Sequence, residues 1–393
     1  MKHILLVPDG AADTPLPELG GLTPLQAART PNLDALAAVS TVGSVQVTPL
    51  EMYPGSDAAN MALLGYNPSE FYTGRGPVEA AAMGITLTQD DIAFRCSLIT
   101  ASSDTLLDYS AGHVTTGEAH ELVTIAQQEL CSPQQTLYPG ISYRHILIWH
   151  GGSANVTTHA PHENMGVRLE QIFPKGDKED ELIDFIRRSQ ALLNDHPINV
   201  HRRKAGLEPA NTLWPWSPGK TPLMRPFKDV RGCSGALVAA VDVVKGLGQL
   251  AGLEVLNVPG ATGYFDTDYS AKASYAIVAA KTRDFVWIHV EAPDEAGHAG
   301  SASEKVRAIE SIDREIVGPL AEHFSGSDWR LMVVPDHMTP VATRKHGYGP
   351  VPFLYYDSQR PLHNTDVKFD EAVHGNPMVV IPRGEVLMDL LFA

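Results

Sequence analysis

Cysteine is scarce in this chain. Cys96, Cys131 and Cys233 are the only three in 393 residues. Odd in number and widely scattered, they offer neither a disulfide framework nor a thiolate metal cluster, and a reducing, cytoplasmic setting fits that usage. Basic charge is short as well: 30 Lys and Arg against 46 Asp and Glu leave a formal charge of −16. That balance excludes nucleic acid and anionic membrane surfaces as partners, because both need an extended basic face. Long uncharged apolar runs are missing too. The most apolar longer stretch, Ala236 to Val255, carries Asp242, Lys245 and Glu254, so no membrane span is expected. Met1-Lys2-His3 enters an apolar run that Pro8-Asp9-Gly10 ends, which leaves no room for the apolar region of a signal peptide. There is no internal repeat and no low-complexity tract. With 44% hydrophobic and 19% charged residues, the remaining description is an ordinary globular enzyme, at a length that favours two domains.

What is present is a set of short apolar runs that stop at aspartate. Ile4-Leu5-Leu6-Val7-Pro8 precedes Asp9, Phe285-Val286-Trp287-Ile288-His289-Val290 precedes Asp294, and Leu331-Met332-Val333-Val334-Pro335 precedes Asp336. Runs of this kind read as buried strands of a parallel sheet, whose carboxyl-end loops are where open α/β sheets bind ligands. Three carboxylates therefore converge on one edge. His298 stands four residues after Asp294, His337 directly follows Asp336, and His346 lies in the next loop. Alone, an Asp after a strand is more often a turn former and a His more often a surface or core residue. Six of them in three strand-end loops form a divalent-metal ligand set of oxygen and imidazole, suited to manganese, zinc or magnesium.

The texture changes along the chain. Segments near Thr23 to Ala37 read as helices, Ser44 to Thr48 as a strand, and Ser56 to Leu64 as a helix with small residues Ala58, Ala59 and Ala62. From Asp91 the pattern turns antiparallel, with strands at Ile92 to Ile99 and Tyr143 to Trp149 and amphipathic helices at Thr116 to Leu130 and Glu179 to Leu193. The Pro-rich segment Pro209 to Pro226 closes this insert and precludes a long helix there. Parallel texture then resumes with a helix near Ser234 to Lys245, a strand at Glu254 to Val258 and a helix after Asp268. The fold class expected is α/β, a mainly parallel sheet flanked by helices, with a discontinuous core at 1–85 and 230–393 and an inserted α+β lid domain at 86–229.

Ser56 follows Gly55 at the start of a helix, where free N–H groups and the dipole favour an anion. It is a cap by default. Beside three converging aspartates it becomes a nucleophile for phosphorus, its hydroxyl activated by a metal ion. An acidic protein binding an anionic substrate also needs guanidinium forks. Arg75, Arg95, Arg144, Arg202 and Arg203 are the candidates, with His162 as a substrate contact or proton relay and Lys245 or Lys272 as a phosphate neutraliser. Two phosphate-loop look-alikes fail. Gly219-Lys220-Thr221 has Trp214 where a P-loop needs its first glycine, and Gly246 to Gly252 has the wrong final spacing for a dinucleotide fingerprint.

Six elements carry a resemblance over nearly the whole chain: Pro8-Asp9-Gly10, Pro54-Gly55-Ser56-Asp57-Ala58-Ala59-Asn60, Leu64 to Pro68, Tyr72-Thr73-Gly74-Arg75-Gly76-Pro77, Glu291 to His298, and Pro335-Asp336-His337. In kind and order they resemble the archaeal-type 2,3-bisphosphoglycerate-independent phosphoglycerate mutases, of the alkaline-phosphatase-like superfamily. The resemblance implies two divalent ions, manganese foremost, with zinc or magnesium as alternatives. Asp9, Ser56, Asp336 and His337 surround one ion, and Asp294, His298 and His346 the other. It also implies a phosphorylated Ser56 that takes the phosphoryl group from 3-phosphoglycerate and returns it to the other hydroxyl without 2,3-bisphosphoglycerate, under a lid that excludes water. Arg75, Arg95, Arg144, His162 and Lys245 are then the substrate-binding set, in a cytoplasmic enzyme of undetermined oligomeric state.

Rival functions use the same site. Phe94 to Thr100, Ala210 to Trp216 and Gly260 to Asp266 look like a bacterial branch of that family proposed to be homoserine kinases. A lid that admits water would make the protein a metal-dependent phosphatase. A metal-binding interaction or structural protein is the reading from another class.

Overall fold

Consecutive apolar residues on a strand need cover on both faces of the sheet, and here they have it. In the computed structural model, which describes residues 1–393, the strands Lys2–Pro8, Phe285–Val290 and Trp329–Val333 lie side by side in parallel. Ile4 to Val7, Val286 to Ile288 and Leu331 to Val333 are wholly buried. These strands are the middle of an eight-stranded sheet ordered Glu254–Leu256, Gly235–Val238, Phe285–Val290, Lys2–Pro8, Trp329–Val333, Val351–Asp357, Thr41–Val45, Val380–Ile381. Val351–Asp357 alone runs against its neighbours. On one face, Ala273 and Ala276 from helix Tyr269–Ala280 and Ile309 and Ile312 from helix Ala302–Ile312 pack on Ile4, Leu6, Val286, Ile288 and Leu331. The expected α/β core is present.

Its details differ in two places. The stretch read as a helix from Ser234 contains the strand Gly235–Val238, and the helix begins only at Asp242. A short apolar run does not distinguish buried strand from buried helix by periodicity; here parallel pairing with Glu254–Leu256 and Phe285–Val290 makes it a strand, and Gly235 suits the close packing because a Cβ would stand 2.7 Å from Phe285. The early strand is Thr41–Val45, three residues ahead of its expected start.

The chain divides into two compact units, Met1–Tyr72 with Leu223–Ala393, and Thr73–Pro222. The cuts expected at 85/86 and 229/230 thus fall earlier, because helix Arg75–Ala82 packs on strands Asp91–Ala101 and Thr212–Gly219 of the second unit. That unit is built on an antiparallel sheet in which Asp91–Ala101 pairs with Arg144–His150 and with Thr212–Gly219. Ile92, Phe94, Cys96 and Leu98 alternate towards Leu122, Ala126, Leu182 and Phe185 of the helices Thr116–Leu130 and Glu179–Asn194. The first of these helices starts with a reciprocal capping box between Thr115 and Glu118. The Pro-rich segment holds no long helix, as expected, and its residues Thr212–Gly219 form a strand. Pro215 and Pro218 fit it because it pairs on one side only, with an irregular register opposite Ala93 to Arg95. No helix is long and apolar enough to cross a membrane.

Candidate active site

Register brings the acidic residues together. Pro8 pairs with Val290 and Leu6 with Val333, so the loops after all three strands leave the same edge of the sheet. Asp9 follows the first strand directly. After the second, helix Ala292–Ala299 carries Asp294 and His298 one turn apart on one face. Asp336 and His337 follow the third. The crossing is tight at Gly10, whose φ is +60° and where a Cβ would stand 2.6 Å from both Asp294 Oδ1 and Thr339 Oγ1. Only glycine lets the chain pass there, and its N–H donates to Asp336 Oδ1 at 3.1 Å.

All seven residues of the expected metal set meet in this one place. His337 Nε2 lies 3.4 Å from Asp9 Oδ1 and 3.5 Å from Asp336 Oδ2. Asp294 Oδ2 is 3.2 Å from His298 Nε2, its Oδ1 is 3.5 Å from His346 Nε2, and the two imidazole Nε2 atoms are 3.1 Å apart. Asp9, Asp294, Asp336 and His337 are buried, whereas Ser56, His298 and His346 are partly exposed, so the cluster opens to solvent on the side of the last three. Two groups of potential metal ligands form within it, Asp9 with Asp336 and His337, and Asp294 with His337 and His346.

Ser56 is not a cap. Gly55 holds the N-cap position of helix Ser56–Leu63 and Ser56 is the first helical residue. Its hydroxyl lies 3.2 Å from His337 Nε2. Asn60, one turn on, donates to the Ser56 carbonyl at 2.9 Å and to Asp336 Oδ2 at 2.8 Å, tying the helix to the third strand end. Asp57 receives the Tyr72 hydroxyl at 2.5 Å and the Ala58 N–H at 2.9 Å.

Hydrogen bonding orients the imidazoles. The Thr339 hydroxyl donates to Asp294 Oδ1, so its free lone pair faces His337 Nδ1 at 3.2 Å. With the proton thus on Nδ1, the Nε2 lone pair points at Ser56, Asp9 and Asp336. His298 likewise directs Nδ1 to the Arg344 carbonyl at 3.0 Å. An outer partner on one ring nitrogen is what a metal-ligating His needs on the other.

The charges do not balance among themselves. Burial and the neighbouring Asp336, Glu291 and Asp294 push the Asp9 carboxyl well up. Burial would raise Asp294 also, but the hydrogen bond from His298 and the charges of His346 and His298 hold it well below the usual carboxylate range. The same contact outweighs burial at His298 and lifts it to about 9, while burial and His337 push His346 down to about 3. The buried Asp9 shares a hydrogen bond with the neighbouring Glu291 carboxyl, and Nδ1 of His346 lacks any partner. A buried carboxylate whose partner is another carboxyl and not a cation costs several kcal/mol on the order-of-magnitude scale. Divalent cations fit this donor set, supplying the charge that the side chains leave uncompensated.

Sequence reasoning missed Asn60 and Thr339 as positioning groups, and His289 and Glu291 at the second strand end. The signal for the last two was available: His289 interrupts an otherwise apolar strand and Glu291 follows it immediately. Lys272, one of the proposed phosphate neutralisers, is buried and donates to the His289 carbonyl at 2.9 Å. Lys245 is half-buried on helix Asp242–Leu250.

The remaining candidates belong to the second unit and gather around Glu79. Arg75 Nε and Arg95 Nη1 lie 2.7 and 2.6 Å from its Oε1, and the charge of Arg144 also acts on it. Arg95 is buried, with Trp216 5.0 Å beneath its guanidinium. Arg75 is about a third exposed. His162 packs against Trp216 and Tyr109 at 5.6 and 6.2 Å between ring centroids. Arg202 and Arg203 are elsewhere and structural. Arg202 is buried, bonded to Ala111 O, Glu208 O and Glu118, and Arg203 donates to Asn194 O at 2.6 Å.

Comparison with known proteins gives a consistent picture. The family model described as 2,3-bisphosphoglycerate-independent phosphoglycerate mutase matches residues 37–199. A protein of that name from Methanosarcina barkeri is 44% identical over 374 residues, 94% of each chain. Among solved structures, one from Pyrococcus horikoshii superposes with a TM-score of 0.82 at 29% identity, covering 100% of this chain and 97% of that one. The cofactor-independent phosphoglycerate mutase from Thermoplasma acidophilum superposes with a TM-score of 0.66 at 28% identity, covering 100% and 99%.

Proposed function

The chain belongs to the 2,3-bisphosphoglycerate-independent phosphoglycerate mutases, and from that membership we propose that it interconverts 3-phosphoglycerate and 2-phosphoglycerate through a phosphoserine at Ser56. The observation that carries the proposal is the placement of the Ser56 hydroxyl, 3.2 Å from His337 Nε2 at the partly exposed mouth of the acidic cluster. Asp9, Ser56, Asp336 and His337 hold one divalent ion, and Asp294, His298 and His346 a second, with manganese the first choice for this mixture of carboxylate and imidazole. When bound, such ions supply the positive charge that acidifies the serine hydroxyl and neutralises phosphoryl oxygens.

The protein's own groups do the rest. Asn60 and Thr339 fix Asp336, His337 and Asp294, so that Ser56 is held in one direction. The first turn of helix Ser56–Leu63 presents its positive dipole end to the phosphoryl group. Ser56 Oγ forms a bond to phosphorus as the bond to the C3 oxygen of glycerate breaks, and the proton lost by serine matches the one gained by that hydroxyl. The reverse transfer to the C2 hydroxyl regenerates Ser56.

The second unit has the proposed role of substrate-binding lid, with Arg75 and Arg144 taking the carboxylate and phosphoryl oxygens and His162 a further contact. Arg95, buried on Glu79, positions Arg75 through their common carboxylate. Lys245 is assigned to the substrate phosphate. The shared name of the matched relatives favours the mutase over the kinase and phosphatase readings.

Phosphorus NMR tests the assignment. Manganese-loaded protein is given 3-phosphoglycerate in one tube, and ATP with homoserine in another, both without 2,3-bisphosphoglycerate. A 2-phosphoglycerate resonance that vanishes in Ser56→Ala is the expected result. Phosphohomoserine in the second tube with no isomerisation in the first would overturn it, as would release of inorganic phosphate alone.

A further inference from the structure

One lysine stands where electrostatics disfavours it. Lys305 ends the first turn of helix Ala302–Ile312, towards the positive end of the helix dipole, and its side chain is wholly buried. No step of the reaction drawn above uses it. A buried charge persists only where its surroundings compensate it, and here the three ammonium hydrogens meet three acceptors. They are Asp13 Oδ2 and the Thr339 carbonyl, both at 2.8 Å, and the Ala12 carbonyl at 3.2 Å.

Those acceptors lie on two of the loops that carry the proposed metal ligands. Ala12 and Asp13 follow Asp9, and Thr339 follows Asp336 and His337. The loops also bond to each other, for the Thr339 N–H donates to the Ala12 carbonyl at 3.2 Å and the Val341 N–H to Asp13 Oδ2 at 3.1 Å. Met338, between His337 and Thr339, bridges to Ala11 and Ala12 on one side and to Gly347, the neighbour of His346, on the other. Three ligand segments therefore meet at Met338 and Thr339. Lys305 holds the carbonyl of Thr339, whose hydroxyl reaches Asp294 and His337.

We propose that Lys305 is a positioning residue for the metal site, an internal cation that keeps the loops bearing Asp9, Asp336, His337 and His346 in their ligating arrangement before any ion binds. It acts through Thr339 and touches neither substrate nor ion. This rests on the ligand sets proposed above and is independent of the phosphoryl reaction they serve. Loops ordered in advance spare an arriving ion the cost of ordering them, so loss of Lys305 is read as weaker metal binding. The buried pair of Arg330 and Asp357 offers the contrast. It joins strands Trp329–Val333 and Val351–Asp357 at the end away from the ligand loops, with the guanidinium also on the Leu391 carbonyl.

Calorimetric titration with manganese, at a temperature where every variant is folded, provides the test. Lys305→Met should weaken binding by about 10–100-fold, the usual effect of losing a group that orients a ligand. Arg330→Met should lower the thermal midpoint and leave manganese affinity at the wild-type value. Combined with Thr339→Val, Lys305→Met should cost less than it does alone, because the two substitutions break one route. Wild-type affinity in Lys305→Met, equal weakening by Arg330→Met, or effects of Lys305→Met and Thr339→Val that simply multiply would each overturn the proposal while the ligand sets stand. A wild-type chain that binds no manganese would overturn both. Should Lys305→Met fail to fold, the pair Lys305→Met and Asp13→Asn removes both charges together and takes its place. Hydrogen exchange of the EDTA-treated wild type decides without any variant. The Thr339 and Val341 amides are expected to exchange as slowly as those of strand Trp329–Val333, and exchange at the rate of an open loop would contradict loops ordered before metal binds.

Discussion

The two units solve the same electrostatic problem in opposite ways. In Met1–Tyr72 with Leu223–Ala393, four buried or nearly buried carboxyl groups, Asp9, Glu291, Asp294 and Asp336, crowd around imidazoles and leave lone pairs without partners. In Thr73–Pro222, the arginines come with a carboxylate of their own, and Glu79 is bonded by Arg75 and Arg95. The first cluster is complete only with an external cation. The second carries its own counterion, and its arginines outnumber the carboxylate that they share. A buried charge without its counterion costs far more than a paired one, so the first cluster should respond to metal and the second to pH.

Removing the nucleophile is the most drastic way to break this contrast. Ser56→Ala should lower kcat by on the order of 10⁴-fold or more, as nucleophile deletions do elsewhere, while the thermal midpoint at saturating manganese stays near that of the parent. Chelation comes next. At free manganese about 1,000 times its dissociation constant, linkage predicts about 4 kcal/mol of added stability, seen as a calorimetric transition that EDTA shifts down. A second transition that EDTA leaves in place would belong to the unit Thr73–Pro222.

Glu79→Gln attacks the other cluster and should destabilise by about 3–5 kcal/mol, the range for breaking a buried pair from one side. The sign with pH is fixed. Burial alone would raise the Glu79 carboxyl, but Arg95 and Arg75 bring it below its ordinary value of 4.5. Its contribution is therefore fully present above about that pH and is lost as pH falls through the lower folded value. Acid unfolding in the variant should lose that dependence. Thr339→Val should weaken manganese binding by roughly 10–100-fold, the usual effect of losing a group that orients a ligand, measured by titration calorimetry. Breaking the exposed pair of Lys2 and Asp284 should change stability by less than about 1 kcal/mol.

Much of the core could be read in advance because its signals are local. An apolar run that ends in Asp9, Asp294 or Asp336 announces both a buried strand and a ligand at its carboxyl end, and the parallel register does the rest. His298 is legible from its spacing alone, one helical turn from Asp294. Gly235–Val238 is not, since four apolar residues satisfy either period and only pairing with strands distant in sequence selects the strand. Asn60 and Thr339 are illegible for another reason: their importance lies in which carboxylate they reach across 276 and 45 residues of chain. The boundary at Thr73 follows from tertiary packing of helix Arg75–Ala82, for which its own sequence carries no mark. His289 and Glu291 were visible as polar residues at a buried strand end, yet their contacts with Asp9 exist only in the folded site.

The proposed reaction requires Ser56 to carry the phosphoryl group. Peptide mapping by mass spectrometry of manganese-loaded protein, acid-quenched during turnover with 3-phosphoglycerate, tests this directly. Phosphate is predicted on the peptide containing Ser56 and nowhere else. A turning-over enzyme whose Ser56 is never phosphorylated, or whose phosphate resides on another residue, would contradict it.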